Sequence, residues 1–239
     1  MTISMSAEEA RRYALDGYIL RKGFLGAEEV DRFRARAREQ LEQEKRRGSV
    51  MAKADREGNT TLLKMWTTAG DDQYGLLARD ERMVDLAEDA VGKPIYLYSH
   101  KMTMKQPNEG GAWEWHQDFG YWYNYGCLAP DMMSIYVALD PATRENGCLQ
   151  VLKGSHKLGR LNHLRENDQT IVEPEHLEAA LKRFELVYVE MDAGDALAFD
   201  GNLLHRSDAN RTSPPLGLHL LSQRRRQRAV QAGARIRQF

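Results

Sequence analysis

The chain changes character at Pro94, and that change restricts its fold more than any other feature. Before it, three stretches read as helices. Residues 6–16, "SAEEARRYALD", open on Ser6, carry Glu9 in the first turn and stop at Gly17, a capped start and a glycine stop. Residues 27–46 run from acidic to basic, which suits the helix dipole, and residues 80–91 form a short amphipathic helix before Gly92. Among these lie a short strand, "YILRKGFL", and a polar, turn-rich loop, "RRGSVMAKADREGNT". After Pro94 come "IYLYSHKMTMKQ", "SIYVALD", "CLQVLKGSHK", "ELVYVEMDAGDALAFDGNLLHRS" and "LGLHLLSQ". These have the β-branched and aromatic content of short strands, interrupted by one helix, "EHLEAALKRF". Helices first and many strands afterwards predict an α+β fold with a strand-built core, most simply a sandwich or jelly roll flanked by the N-terminal helices. No internal repeat or long linker divides the chain, so residues 1–239 are expected to form a single domain.

The totals exclude several functions. The chain carries 34 basic and 35 acidic side chains, a formal net charge of −1, and no field of one sign points to nucleic acid as partner. Arg224, Arg225, Arg226 and Arg228 are a local exception, expected to be a solvated tail. No apolar run approaches the roughly 18 residues of a membrane span. The N-terminus lacks the basic-then-apolar pattern of a signal peptide. Two cysteines, Cys127 and Cys148, make no disulfide framework and suit a reducing compartment. The expectation is a cytoplasmic protein, monomer or homodimer.

Residues 113–122, "WEWHQDFGYW", set His116 and Asp118 two apart among aromatic rings. In a strand, residues i and i+2 share a face, so this imidazole and this carboxylate can bite one divalent ion. A third ligand must come from elsewhere. His205 is the best candidate, where a strand end, "DALAFD", meets a loop. Two histidines and one carboxylate leave other metal positions open, the arrangement associated with non-haem Fe(II) oxygenases. His-x-Asp by itself is a weak signal and is more often a surface hydrogen bond.

The surrounding text is more specific. "LDGYILRKGFLGAEEVDRFRA", "WHQDFGYW", "RENGCLQVLKGSHKLG" and "GDALAFDGNLLHRSDANRT" resemble, in order, segments of the phytanoyl-CoA dioxygenase-like family of Fe(II)/2-oxoglutarate oxygenases. The resemblance covers nearly the whole chain. It implies a double-stranded β-helix (jelly-roll) core, iron held by His116, Asp118 and His205, and oxidation of a C–H bond of a small-molecule substrate by dioxygen, coupled to conversion of 2-oxoglutarate to succinate. Related halogenases have a small residue where this chain has Asp118, so oxygenation is expected and not halogenation. The resemblance further places Lys64, Met102, Thr103, Tyr136 and Ser207 near the cosubstrate, although each also suits an ordinary structural role. Among the rings of Phe119, Tyr121, Trp122, Tyr123 and Tyr125, too many for one buried face, Trp122 and Tyr125 are the candidates for substrate contact. His100, His156, His163, His176 and His219 are not needed as ligands, and His219 reads as a hydrogen-bonded core residue.

One position departs from the family. An arginine usually stands eleven residues after the distal histidine and pairs with the far carboxylate of 2-oxoglutarate. Here that position is Leu216. A substitute cation is therefore expected, Lys64 or Lys105 ahead of Arg211, with Lys101 also able to approach; Arg224 is too far along the strand. The departure keeps two rivals open: a zinc or other divalent-metal hydrolase, and a jelly-roll metal-binding protein without turnover. No basic run beside the metal motif favours a CoA thioester as substrate.

Overall fold

The structure is a computed structural model that describes residues 4–48, 50–213 and 217–226. The first half contains α1 (Ala7–Asp16), β1 (Tyr18–Arg21), α2 (Ala27–Arg47), β2 (Met51–Ala54), β3 (Thr60–Trp66), α3 (Gln73–Ala78), α4 (Glu81–Val91) and β4 (Ile95–Lys105). There follow β5 (Trp113–His116), α5 (Asp118–Tyr123), β6 (Met132–Ala138), β7 (Leu149–Leu152), β8 (His163–Glu166) and β9 (Gln169–Val172). The chain then forms α6 (Pro174–Arg183), β10 (Leu186–Val189), β11 (Ala196–Asp200), β12 (His205–Ser207) and β13 (Gly217–Arg226).

The N-terminal helices start and stop where the sequence signals. Glu9 N–H donates to Ser6 Oγ at 3.2 Å and Ser6 N–H to Glu9 Oε2 at 2.8 Å, a closed capping box. Gly17 ends α1 in the left-handed region, φ 84°, and a Cβ there would meet the His156 ring at 2.5 Å.

Two antiparallel sheets carry the rest. The larger runs β1-β11-β6-β13-β4-β3-β2 and the smaller β10-β7-β12-β5, with β8 and β9 as a separate hairpin. Alternation along the large sheet divides its two faces. Met102, Met104, Met133, Ile135, Val137, Leu218 and Leu220 point to one face and pack against Phe33, Leu41, Tyr74, Met83 and Leu86 of the helices. Leu197, Phe199, Leu221 and Ala138 point to the other face, where Val151, Val189 and Leu203 meet them from the small sheet and its loops. The site lies in this second interface, between the sheets.

Three sequence expectations change. The loop read at residues 46–60 contains the edge strand β2, followed by a turn in which Asp55 Oδ1 accepts the N–H of Glu57 and Asn59, both at 2.9 Å. An edge strand with one wet face has too few apolar residues to signal itself. The arginine cluster is not a solvated tail as far as it is described. Arg224 is buried on β13, with Nη2 donating to Ala78 O, and Arg225 lies 5.0 Å over the Tyr98 ring; Arg228 is outside the described residues. His219 lies on β13 as expected, but its ring stacks on Tyr136 at 4.7 Å and its buried Nε2 has no hydrogen-bond partner among the described residues.

Candidate metal centre and its two chambers

β5 and β12 pair antiparallel, and their register puts His116 directly opposite His205. The ring centroids are 4.1 Å apart. Each imidazole is held from behind. Nδ1 of His116 donates to Glu114 O at 2.7 Å and Nδ1 of His205 to Leu203 O at 3.0 Å. A carbonyl can only accept, so Nδ1 carries the hydrogen and Nε2 keeps its lone pair.

Asp118 completes the group, though not as a strand neighbour. β5 ends at His116, and Asp118 is the first residue of α5, so the i, i+2 strand argument gives way to a strand-to-helix turn. That turn is tightly tied. Gln117 is fully buried; its Nε2 donates to Gly159 O at 2.8 Å and Asn202 O at 2.7 Å, its Oε1 accepts Leu161 N–H at 2.7 Å, and its own N–H donates to His163 Nε2 at 2.9 Å. Asp118 Oδ1 lies 3.9 Å from His116 Nε2 and 4.0 Å from His205 Nε2, and Ser134 on β6 donates its hydroxyl to Asp118 Oδ2 at 2.5 Å. The three ligand atoms all lie within 4.8 Å of one another.

The charge states suit a cation. Burial pushes both imidazoles below their usual range, leaving them neutral at pH 7. Burial alone would raise the Asp118 carboxyl, but His205, Lys101, His116 and the Ser134 hydroxyl hold it below the ordinary carboxylate value. Two neutral nitrogens and one carboxylate oxygen, on side chains each braced by a hydrogen bond, fit a divalent ion.

Two chambers meet at this triad. The first lies between the sheets against His116 and His205 and is lined by Thr103, Lys105, Tyr136 and Ser207. Lys105 is buried there, its Nζ donating to Ser207 Oγ at 2.7 Å and to Asp208 O. Burial pulls its pKa down to about 7. The second chamber lies against His116 and Asp118 and is lined by Leu63, Tyr121, Trp122 and Asp168. Lys101, Trp113 and His116 border both. Arg206 borders the first chamber and also an outer cleft containing Arg56, Arg144 and Arg211.

The structure thus brings Thr103, Tyr136 and Ser207 together beside the histidines, and Trp122 beside Asp118. It does not bring Lys64 or Met102 there. These two are register partners on β3 and β4 and point to the helix side, where Lys64 Nζ lies 2.7 Å from Glu44 Oε1 and Met102 is in the core. Met102 and Thr103 are strand neighbours and cannot both face one cavity. Tyr125 is 59% exposed and stacks beyond Tyr121 at 5.1 Å, outside the chamber lining. Arg211 is on the surface, 3.7 Å from Glu57. Leu216 is outside the described residues. Sequence reasoning missed Trp113, Lys53 and Asp168 as lining; the alternation Lys101, Thr103, Lys105 on β4 was the available signal for one wall.

The profile of the phytanoyl-CoA dioxygenase (PhyH) family matches residues 13–215. The chain belongs to this family. It is 31% identical over 228 residues to L-proline trans-4-hydroxylase of Streptomyces griseoviridis, spanning 88% of this chain and 83% of that protein. It is 27% identical to ectoine dioxygenase of Nocardia farcinica, spanning 87% and 74%. Among solved structures, EctD from S. alaskensis with 2-oxoglutarate and 5-hydroxyectoine superposes with a TM-score of 0.74 at 23% identity, covering 93% of this PhyH-family chain and 76% of that one. The epimerase SnoN in complex with Fe3+, alpha ketoglutarate and nogalamycin RO gives 0.75 at 23% identity, covering 92% and 82%.

Proposed function

We propose that this PhyH-family chain is an Fe(II)/2-oxoglutarate-dependent oxygenase that hydroxylates a small molecule. The observation that carries the reading is the convergence of His116, Asp118 and His205 at the junction of two chambers, one of which holds a buried lysine. The relatives' names, a proline hydroxylase and ectoine dioxygenases, support a small substrate and this cofactor pair. On this reading the two sheets are the halves of a double-stranded β-helix, and residues 1–239 are one domain. The buried cysteines Cys127 and Cys148, which are not joined as a disulfide, suit a reducing, cytoplasmic setting.

Roles follow from position. His116, Asp118 and His205 hold the iron. Bound iron, with 2-oxoglutarate and dioxygen, supplies the oxidant for the C–H bond as 2-oxoglutarate becomes succinate and carbon dioxide. Lys105 and Ser207 receive the far carboxylate of 2-oxoglutarate in the first chamber, the part the family arginine would play, with Thr103 and Tyr136 along its walls. Trp122, fixed by its Nε1 donating to Gln223 Oε1 at 2.8 Å, orients substrate in the second chamber and excludes water. Asp118 fills the position a halide would need, which favours oxygenation over halogenation. Calorimetry of the Mn(II)-loaded protein with 2-oxoglutarate, together with succinate formation by the Fe(II) form, tests the reading. Saturable 2-oxoglutarate binding, lost in His116→Ala, Asp118→Ala and His205→Ala, is expected; no binding at millimolar cosubstrate overturns it.

A further inference from the structure

On the oxygenase reading Lys105 takes the far carboxylate of 2-oxoglutarate, and Lys101 is the other lysine on the same strand face. It sits on β4 two residues before Thr103 and four before Lys105, so its side chain points between the sheets, at the wall both chambers share. Its Nζ lies 5.2 Å from the centroid of the Trp113 ring. Among the described residues it has no hydrogen-bond acceptor and no carboxylate within ion-pair distance, and Asp118 acts on it only from farther off. An ammonium drawn out of bulk water against an aromatic face, beside a cavity, is prepared for an anion that arrives with a ligand.

We propose that Lys101 receives a carboxylate of the prime substrate in the second chamber, so that the enzyme acts on a small carboxylic acid of amino-acid size. This rests on the oxygenase reading above. An acid seated on Lys101 lays its carbon skeleton against Trp113 and Trp122, next to the edge of the triad formed by His116 and Asp118. Beyond Lys101, the lining offers one further cation, Lys53, and it is accompanied by Asp168. That rim suits the mixed charge of an amino acid and is poor in the positive charge a diphosphate-bearing thioester requires.

The test uses the full chain loaded with Mn(II) and 2-oxoglutarate, titrated by calorimetry with L-proline and cyclopentanecarboxylate and with the amide of each. At least one acid is expected to bind, its amide about 30-fold more weakly. Lys101→Met should weaken the acid by about 30-fold while 2-oxoglutarate affinity stays within about threefold and circular dichroism is unchanged. Lys101→Arg, which keeps the charge, should recover most of the acid binding. Amides binding as well as acids, or silence of both acids at about 20 mM, overturns the proposal. So does an equal loss of 2-oxoglutarate affinity in Lys101→Met, which would assign this cation to the cosubstrate. Failure of 2-oxoglutarate to bind the unaltered protein is a different result: it removes the oxygenase reading and this inference with it.

Discussion

On the proposed reading, one buried residue, Lys105, would decide the cosubstrate. Leaving a buried carboxylate without its cation costs about 3–5 kcal/mol, so Lys105→Met should weaken 2-oxoglutarate on the order of 100-fold or more. The same residue predicts a pH dependence. Burial lowers its pKa to about 7, so in the free protein it is half-charged near neutrality. A bound carboxylate requires the ammonium, and binding above pH 7 must take up a proton. Affinity should fall by about tenfold per pH unit above pH 7 and level off below it. Calorimetry from pH 6 to 9, in two buffers of different ionisation heat, checks both the slope and the proton; a flat profile contradicts the assignment. Which lysine does this work was only half legible in the sequence. Lys64 and Lys105 were equal candidates as text, and strand alternation plus pairing partner separates them: Lys64 faces Glu44, Lys105 faces Ser207.

At the scale of elements, the ligand turn depends on α5 approaching β8 closely. A Cβ at Gly120 would lie 2.0 Å from His163 Cε1, and that ring accepts the N–H of Gln117, the residue between two ligands. Gly120→Ala should therefore cost about 1–3 kcal/mol by overpacking. Metal affinity should fall with it, because the displaced ring releases the turn. Urea unfolding and metal titration measure the two effects, and adding His163→Ala should return part of the stability but not the metal affinity. The sequence located nearly every long element, because α1, α2 and α4 carry caps and glycine stops and β4 and β13 carry long apolar alternation. It did not reveal that His116 and Asp118 straddle a strand end and a helix start. Two residues of spacing fit either geometry, and hydrogen bonds from Gln117 to loops around residues 159–161 and 202 select the second. Nor did it mark β3 as a strand, or separate β2 and the β8–β9 hairpin around Asn167 at φ 51° from loop.

For the whole molecule, burial of neutral histidines sets an acid limit. Burial lowers His100 and His163 to about 4 and His219 to about 3, whereas unfolded histidine titrates near 6.5. As pH falls below that ordinary value, the unfolded chain binds protons that the native state refuses, so stability declines. For three such groups the slope is at most about 4 kcal/mol per pH unit, between roughly pH 6 and 4.5. Asp140 and Asp200, raised by burial, act in the opposite sense nearer the carboxylate range. Urea midpoints at pH 7, 6 and 5 test this; equal midpoints contradict it. The partition formed by Lys101, Trp113 and His116 has a different consequence, one of traffic. If, as proposed, cosubstrate occupies the chamber bordered by Arg206 and substrate the one bordered by Asp168, each would reach the reaction centre by its own doorway. Spent succinate can then leave and be replaced without evicting a resident substrate. In steady-state kinetics succinate should compete with 2-oxoglutarate and not with the substrate, and a single shared doorway would reveal itself as competition against both.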